Sequence, residues 1–266
     1  MNFWQVDAFT NKIFSGNPAA VFIFDEEPSA DLMMKIAREM NLSETVFVIK
    51  GAELKIRWFT PNTEVNLCGH ATLSAAHILW QEGLVENSKI VFKSRSGPLN
   101  ITKNQKGYTL DFPLQPPMER GDYTDQITQI LGEAPEYIGS NGEDCMTVVS
   151  DDTFVRLFSP DYQKICGLDE RGFLLTAQDK SGEFDYIYRS FFPKLNIPED
   201  PVTGSANTCL AAYWSKKLNK QHLKARQVSE RGGTLGIEVS QDRVLITGEA
   251  VTVYKGIMEI DRSQVQ

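Results

Sequence analysis

The feature that most limits what this chain can fold into is a repeat of very long period. Cys68-Gly69-His70-Ala71 and Thr203-Gly204-Ser205-Ala206 each follow a stretch holding a proline and an acidic residue, and each leads into an Ala- and Leu-rich run that ends near a tryptophan. Gly69 and Gly204 stand 135 residues apart, and the same spacing separates Gly97 of Ser94-Arg95-Ser96-Gly97 from Gly232 of Ser229-Glu230-Arg231-Gly232. Two coincidences at one spacing point to copying. Upstream, Ser29-Ala30-Asp31 with Lys35-Ile36 is echoed by Ser159-Pro160-Asp161 with Lys164-Ile165. Leu42-Ser43-Glu44-Thr45-Val46-Phe47 is echoed by Leu168-Asp169-Glu170-Arg171-Gly172-Phe173, at an offset of 126. Solenoid repeats run at about 20–50 residues, so a period this long means a duplicated domain. At 266 residues the chain is long enough for two ordinary cores. Asp111-Phe112-Pro113-Leu114-Gln115-Pro116-Pro117, followed by Gly121, carries the strongest breaker signals and is read as the linker. The expected domains are therefore 1–117 and 118–266.

Charge narrows the partners. Against 27 basic residues stand 35 acidic ones, giving a net charge of -8, and no basic cluster is longer than a pair; nucleic acid and anionic membrane are argued against. The start lacks a basic region followed by an apolar stretch, and runs such as Ala19-Ala20-Val21-Phe22-Ile23-Phe24 are too short to span a bilayer. A cytoplasmic protein is expected. Cys68, Cys145, Cys166 and Cys209 form no CxxC pair and have no histidine at metal-ligand spacing, which argues against zinc and against a disulfide framework.

Periodicity predicts a buried strand over Ala19–Phe24 and a helix over Ala30–Met40 capped by Ser29. Strands are predicted over Ser43–Ile49 and Leu54–Phe59, then an apolar helix over Ala71–Trp80 ended by Gly83. On this reading Cys68-Gly69-His70 and Thr203-Gly204-Ser205 lie just before helices, with backbone N–H groups at the positive helix end. Two such ends make an anion cradle. Taken singly, each is equally a tight turn with an ordinary cap.

Glu44 stands beside the apolar segment Thr45-Val46-Phe47-Val48-Ile49. Desolvation there would raise its pKa toward working pH, as proton shuttling requires, while a capping glutamate behind Ser43 is the equal alternative. Asp200 could orient a substrate ammonium or His70, or be a turn residue before Pro201. His77 is expected to be structural and His222 solvated. Gln227, Ser229, Arg231 and Gly232 read either as site-lining residues or as a strand with a glycine bulge.

Asp7-Ala8-Phe9-Thr10, Gly16-Asn17-Pro18-Ala19-Ala20-Val21, the run Ile36 to Phe47, Phe59-Thr60-Pro61, Glu64 with Cys68-Gly69-His70-Ala71-Thr72, Glu199-Asp200-Pro201-Val202-Thr203-Gly204-Ser205-Ala206, and Ser229-Glu230-Arg231-Gly232-Gly233 resemble, in order and spacing, the phenazine-biosynthesis PhzF-like family. The resemblance implies an α+β, diaminopimelate-epimerase-like fold: two duplicated domains, each a mixed sheet wrapped round a central helix, with the active-site cleft between them. It implies a homodimer acting on a small carboxylate or amino-acid-like metabolite. It further implies a cofactor-independent isomerase, without metal or coenzyme, in which a glutamate of the Asn-Leu-Ser-Glu-Thr motif moves the proton. That residue is Glu44, and the supporting positions fall on His70, Asp200 and Ser205. Substrate-binding roles fall on Asn17, Gly69, Gly204, Arg231 and Gly232.

A racemase with one thiol on each face of the substrate carbon is the competing enzyme reading. Here Cys68 has no thiol counterpart, because the duplicate position is Thr203, whose hydroxyl is too weak an acid. Cys68 is expected to be dispensable for one-base chemistry. A binding protein that keeps the cradle without turnover is the reading from a different class.

Overall fold

In a computed structural model, which describes residues 1–260, the chain divides into two compact units. One comprises Met1–Asp111 with the chain from Thr247 onward, the other Phe112–Ile246. The first begins with β1 (Asn2–Ala8), β2 (Asn17–Phe24), α1 (Ala30–Met40), β3 (Glu44–Ile49), β4 (Leu54–Phe59) and β5 (Glu64–Val65). It continues through α2 (Gly69–Gln81), β6 (Lys89–Ser94), β7 (Gly97–Asn104) and β8 (Gly107–Pro113). The second runs β9 (Met118–Glu119), α3 (Thr124–Leu131), β10 (Tyr137–Ser140), β11 (Asp144–Val148), α4 (Asp152–Leu157), α5 (Tyr162–Cys166), β12 (Gly172–Gln178), β13 (Tyr186–Phe192) and β14 (Ile197–Asp200). Then follow α6 (Asn207–Leu218), β15 (His222–Gln227), β16 (Gly233–Ser240), β17 (Arg243–Gly248) and finally β18 (Ala250–Ile257).

Strand pairing repeats within each unit. In the first, β1–β2 is antiparallel, β2–β3 parallel, β3–β4 and β4–β5 antiparallel, β4–β6 parallel and β6–β7 antiparallel. In the second, β10–β11, β11–β12, β12–β13, β13–β14, β13–β15 and β15–β16 follow the same succession of senses. Parallel neighbours require a crossover, which α1 and α2 supply in one unit, and α4 with α5, then α6, in the other.

The division between the units falls between Asp111 and Phe112, inside the segment read as the linker, which begins as the end of β8. The chain after Ile246 does not belong with 118–266, because β18 returns to pair antiparallel with β1, from Asn2↔Ile257 to Ala8↔Ala250. Met118 and Glu119 of β9 play the matching part on β10, so the repeat is structurally complete although this edge strand comes from opposite ends of each copy.

Local chemistry explains the elements around the site. Ser29 accepts from the Leu32 N–H at 3.2 Å, and Asn41, at φ 47, closes α1 in the left-handed region. Leu32, Met33, Ile36 and Ala37 turn inward on β2 and β3 residues Ala20, Phe22 and Phe47. The helix α2 is buried from His70 through Ala76 and again from Ile78 to Trp80; a helix apolar all round has to be covered all round. The expected start at Ala71 is two residues late. Cys68, at φ -146 and ψ 114, is the N-cap, so Gly69 and His70 form the first turn.

A second likeness comes from ion pairs. Arg57 holds Glu64 in a bidentate grip at 2.8 and 2.8 Å, and Arg189 holds Glu199 at 2.8 and 2.7 Å. Each guanidinium also lies over a ring, of Phe59 at 5.2 Å and of Phe191 at 5.0 Å. Glu64 opens, and Glu199 lies near the end of, the short strand that leads to a Gly-turn, so each pair anchors the chain entering that turn. Glu199→Gln is expected to lower unfolding stability by about 1–2 kcal/mol, because it leaves a largely covered guanidinium half-paired. Urea unfolding checks this, and an unchanged midpoint would show that the pair is merely decorative.

Candidate active site

In the first unit Glu44 begins β3, which runs parallel to β2 with Ala19 opposite Glu44. Its side chain is 13% exposed, and Oε2 lies 3.2 Å from Nε2 of His70. The other ring nitrogen, Nδ1, lies 3.5 Å from Sγ of Cys68, while Sγ to Nε2 is 4.0 Å. Cys68 and His70 are 7% and 5% exposed. The α2 register holds this group in place: Thr72 Oγ1 donates to the Cys68 carbonyl at 2.6 Å and Ser74 Oγ to the His70 carbonyl at 2.9 Å.

Burial opposes a charged His70 ring, but the Cys68 sulfur and the Glu44 carboxylate together outweigh it, so His70 titrates well above the ordinary histidine range. Burial, reinforced by the Glu44 charge, pushes the Cys68 thiol up. Nε2 of the ring meets the Glu44 carboxylate, while the Cys68 sulfur lies beside the ring, 3.5 Å from Nδ1 and 4.0 Å from Nε2.

Among the described residues, the ligand atoms of Glu44, Cys68 and His70 lie within 4.8 Å of one another, and their types would suit zinc. The Glu44 carboxylate and the Cys68 sulfur both lie near one ring nitrogen, Nε2, at 3.2 and 4.0 Å.

The second unit builds a different group at the equivalent turn. Thr203 Oγ1 donates to Asp200 Oδ2, the Thr203 N–H donates to Gln227 Oε1 at 2.8 Å, and Gln227 Nε2 donates to the Asp200 carbonyl. Ser190 Oγ approaches the same Gln227 oxygen at 3.5 Å. Below the turn, Tyr186 donates to Asn207 Oδ1 at 2.6 Å, while Asn207 Nδ2 donates to Tyr188 Oη at 2.9 Å and to the Thr203 carbonyl at 3.2 Å. Burial pushes both tyrosines up, so they remain donors. Asp200, Thr203 and Gly204 are buried; Ser205 is half-buried.

A serine staple recurs beside each turn. Ser96 Oγ donates to the Asn66 carbonyl at 2.8 Å, and Ser229 Oγ to the Pro201 carbonyl at 2.6 Å. Gly97 and Gly232 both take positive φ, 96° and 64°. Gly232 therefore closes a hairpin loop between β15 and β16 and is not a bulge within a strand; its N–H donates to Ser229 Oγ at 3.1 Å. Arg231 is half-buried in that loop, and Asn17 is buried at the head of β2.

The offset of 126 for the Glu44 region is corrected to 128. Thr45 pairs with Phe59 as Phe173 pairs with Phe191, and Phe47 faces Arg57 as Leu175 faces Arg189. The counterpart of Glu44 is thus Gly172, not Glu170. A Cβ at Gly172 would strike the Asp144 carboxylate and the Phe192 ring, so that position admits no side chain and the second copy carries no acid there. The paired arginines were missed in the sequence, although Arg57-Trp58-Phe59-Thr60-Pro61 and Arg189-Ser190-Phe191-Phe192-Pro193 share an Arg-x-Phe-x-Pro pattern that could have found them.

Duplicated mixed sheets, each with a crossover helix opening on a Gly-turn, define an epimerase-type α+β architecture. The chain belongs to the PhzF family: the model of the phenazine biosynthesis-like proteins matches residues 6–256. An uncharacterized isomerase of Halalkalibacterium halodurans is 43% identical over 254 residues, covering 95% of this chain and 96% of its own. A crystal structure of a PhzF-family phenazine biosynthesis protein from Enterococcus faecalis is 40% identical, with TM-score 0.93 over 97% of this chain and 99% of its own. A Pseudomonas aeruginosa protein named as a predicted epimerase is 20% identical with TM-score 0.75, over 98% and 99% of the two chains, a likeness that speaks for the fold alone. No helix among the described residues is long and apolar enough to cross a membrane.

Proposed function

We propose that this chain is a cofactor-independent isomerase that moves a proton on a small carboxylate or amino-acid-like metabolite, with Glu44 as the single acid/base. The observation that carries this reading is the largely covered Glu44 carboxylate held against His70, in a unit whose copy has only Gly172 at the matching position. His70 gives the carboxylate a hydrogen-bonding partner at Nε2, and the covered setting strengthens its effect on a bound substrate. The orphan N–H groups at the start of α2 offer a place for a substrate carboxylate. Asp200 and Ser205 of the second unit keep, in this proposal, the supporting roles that the family motif implies. The names of relatives, which include isomerases, support the reaction class.

Thr203 favours this reading over a two-thiol racemase, since its hydroxyl is spent on Asp200. Incubating the protein with a panel of small carboxylic and amino acids in D₂O, followed by mass spectrometry and NMR, tests the proposal. An isomerised product carrying deuterium at the reacting carbon is expected. A ligand that binds tightly and is returned unchanged from every incubation would make the chain a binding protein instead. The reading includes a homodimer, checked by light scattering; a monomer throughout the micromolar range would remove that part.

A further inference from the structure

We propose that Gln227 is a positioning residue: its side-chain amide bridges the Asp200 carbonyl and the Thr203 N–H, closing the turn that holds the Thr203 hydroxyl against the Asp200 carboxylate. This rests on the supporting role given to Asp200 above, and it moves Gln227 from the lining of a site to the layer behind it.

Gln227 is the last residue of β15, stands beside Tyr188 of β13 in the parallel ladder and is fully covered. An amide buried this way costs the desolvation of each polar atom left without a partner. Both ends meet backbone groups of fixed polarity: Oε1 accepts from the Thr203 N–H at 2.8 Å, and Nε2 donates to the Asp200 carbonyl. One orientation of the amide serves both, since the N–H can only give and the carbonyl only take. Ser190, buried and opposite Asp200 in the ladder, brings its hydroxyl to the same Oε1 at 3.5 Å. With the width of the turn set, Thr203 Oγ1 reaches Asp200 Oδ2. The Thr203 carbonyl accepts from Tyr188 Oη and from Asn207 Nδ2, each at 3.2 Å. Amide, hydroxyl and carbonyl of Thr203 are all engaged, so the turn is held as a unit.

The other copy shows what the bridge accompanies. Glu64 matches Glu199 and Gly69 matches Gly204 at one offset of 135, which sets Val65 against Asp200. The ladders agree, because Trp58 pairs with Val65 as Ser190 pairs with Asp200. With Phe59 matched to Phe191, Lys55 faces Lys93 as Ile187 faces Arg226, so Ser94 stands at the place of Gln227. Ser94 gives its hydroxyl to the Gly97 carbonyl at 2.7 Å, inside its own hairpin. The amide bridge thus goes with the turn that carries a carboxylate and not with the one that carries valine. Room for it comes from Ser190, a small residue where the first copy has the Trp58 indole.

The test reads Asp200 itself. Aspartate is labelled at ¹³Cγ, the Asp200 signal is assigned with Asp200→Asn, and Gln227→Met and Thr203→Val are compared with wild type at pH 7 without ligand. Gln227→Met keeps the reach of the side chain and removes both hydrogen bonds; Thr203→Val keeps the shape and removes only the hydroxyl. Both should shift the Asp200 resonance in the same direction. The double variant should add nothing to the larger single shift, because the two changes act through one contact. A glutamine that merely supports the fold would lower the urea midpoint of Gln227→Met and leave Asp200 at its wild-type shift. That result would overturn the proposal, as would a double variant whose shift is the sum of the singles. Wild-type protein gives a check that needs no variant: a scalar coupling across the hydrogen bond from Thr203 ¹⁵N to Gln227 ¹³Cδ, recorded beside the couplings of the β13–β15 ladder. Its presence is expected, and its absence while the ladder couplings are seen would remove the bridge. None of these readings needs a substrate, so turnover lost or kept in Asp200→Asn bears on the role of Asp200 and leaves Gln227 to its own test.

Discussion

Glu44→Gln is expected to fold and bind ligand as the wild type does while losing turnover by about 10²–10⁴-fold, the usual worth of a general acid/base. That corresponds to about 3–5 kcal/mol of transition-state stabilisation. The substitution preserves length and leaves an oxygen within reach of His70 Nε2, so the contact at 3.2 Å survives as a neutral hydrogen bond. What it removes is the group that can hold the substrate proton between two carbons. The matching position of the second unit carries no acid, because Gly172 stands there, walled in by Asp144 and Phe192. The loss should appear in kcat with KM little changed, since the start of α2 and the Asp200–Ser205 turn are untouched. With any compound that acquires deuterium from D₂O, the mutant should leave the reacting carbon unlabelled. A mutant as active as wild type would remove Glu44 from the mechanism.

The parts of this fold legible in the sequence are those where backbone chemistry demands particular side chains. Gly69 opens α2 and Gly204 lies in the turn before α6, and Ser29 and Asn41 bracket α1 as cap residues do. Glu44, Cys68 and His70 were singled out from the residues and the family motif, and the structure brings these three together. The return of β18 to β1 was not legible, because the pairing of Asn2 with Ile257 closes a loop of nearly the whole chain and has no local signature. The second copy offered no hint, since its matching strand β9 is two residues long and lies at the other end of that copy. The two-residue slip at β12 had a similar origin. Phe47 and Phe173 look alike in sequence, but a slip of two keeps every side chain on its face, so patterning alone cannot detect it; the ladder opposite Arg57 and Arg189 does. The Asp200–Thr203–Gln227 network was legible only as separate polar residues, because its hydrogen bonds join segments some 25 residues apart.

Acid should destabilise the first unit through His77, and by an amount large enough to measure. Nδ1 of this ring lies 2.8 Å from Tyr108 Oη and Nε2 lies 3.0 Å from Thr252 Oγ1, so the histidine joins α2 to β8 and to the returning strand β18. Burial pushes its pKa down to about 4, against a partial pull upward from Gln81, with Lys103 adding to the fall. The unfolded chain therefore binds a proton near pH 6.5 that the fold refuses until about pH 4. Stability is full above pH 6.5 and declines as pH falls through that window, by about 1.4 kcal/mol per unit and about 3 kcal/mol in all. His70 works in a separate window with the opposite sign: its raised pKa favours the fold below the unfolded value, and that contribution fades only as pH climbs through the folded one. Carboxylates contribute mainly below pH 4.5, so urea unfolding between pH 7 and 4.5 reads His77 with little interference. His77→Gln keeps hydrogen-bonding groups toward Tyr108 and Thr252 without titrating. Its stability should be lower than wild type at pH 7 yet flatter with pH, the two curves converging as the solution is acidified. Parallel curves across that range would show that His77 is protonated in the fold as readily as in the unfolded chain, and the neutral bridge between α2 and β18 would have to be abandoned.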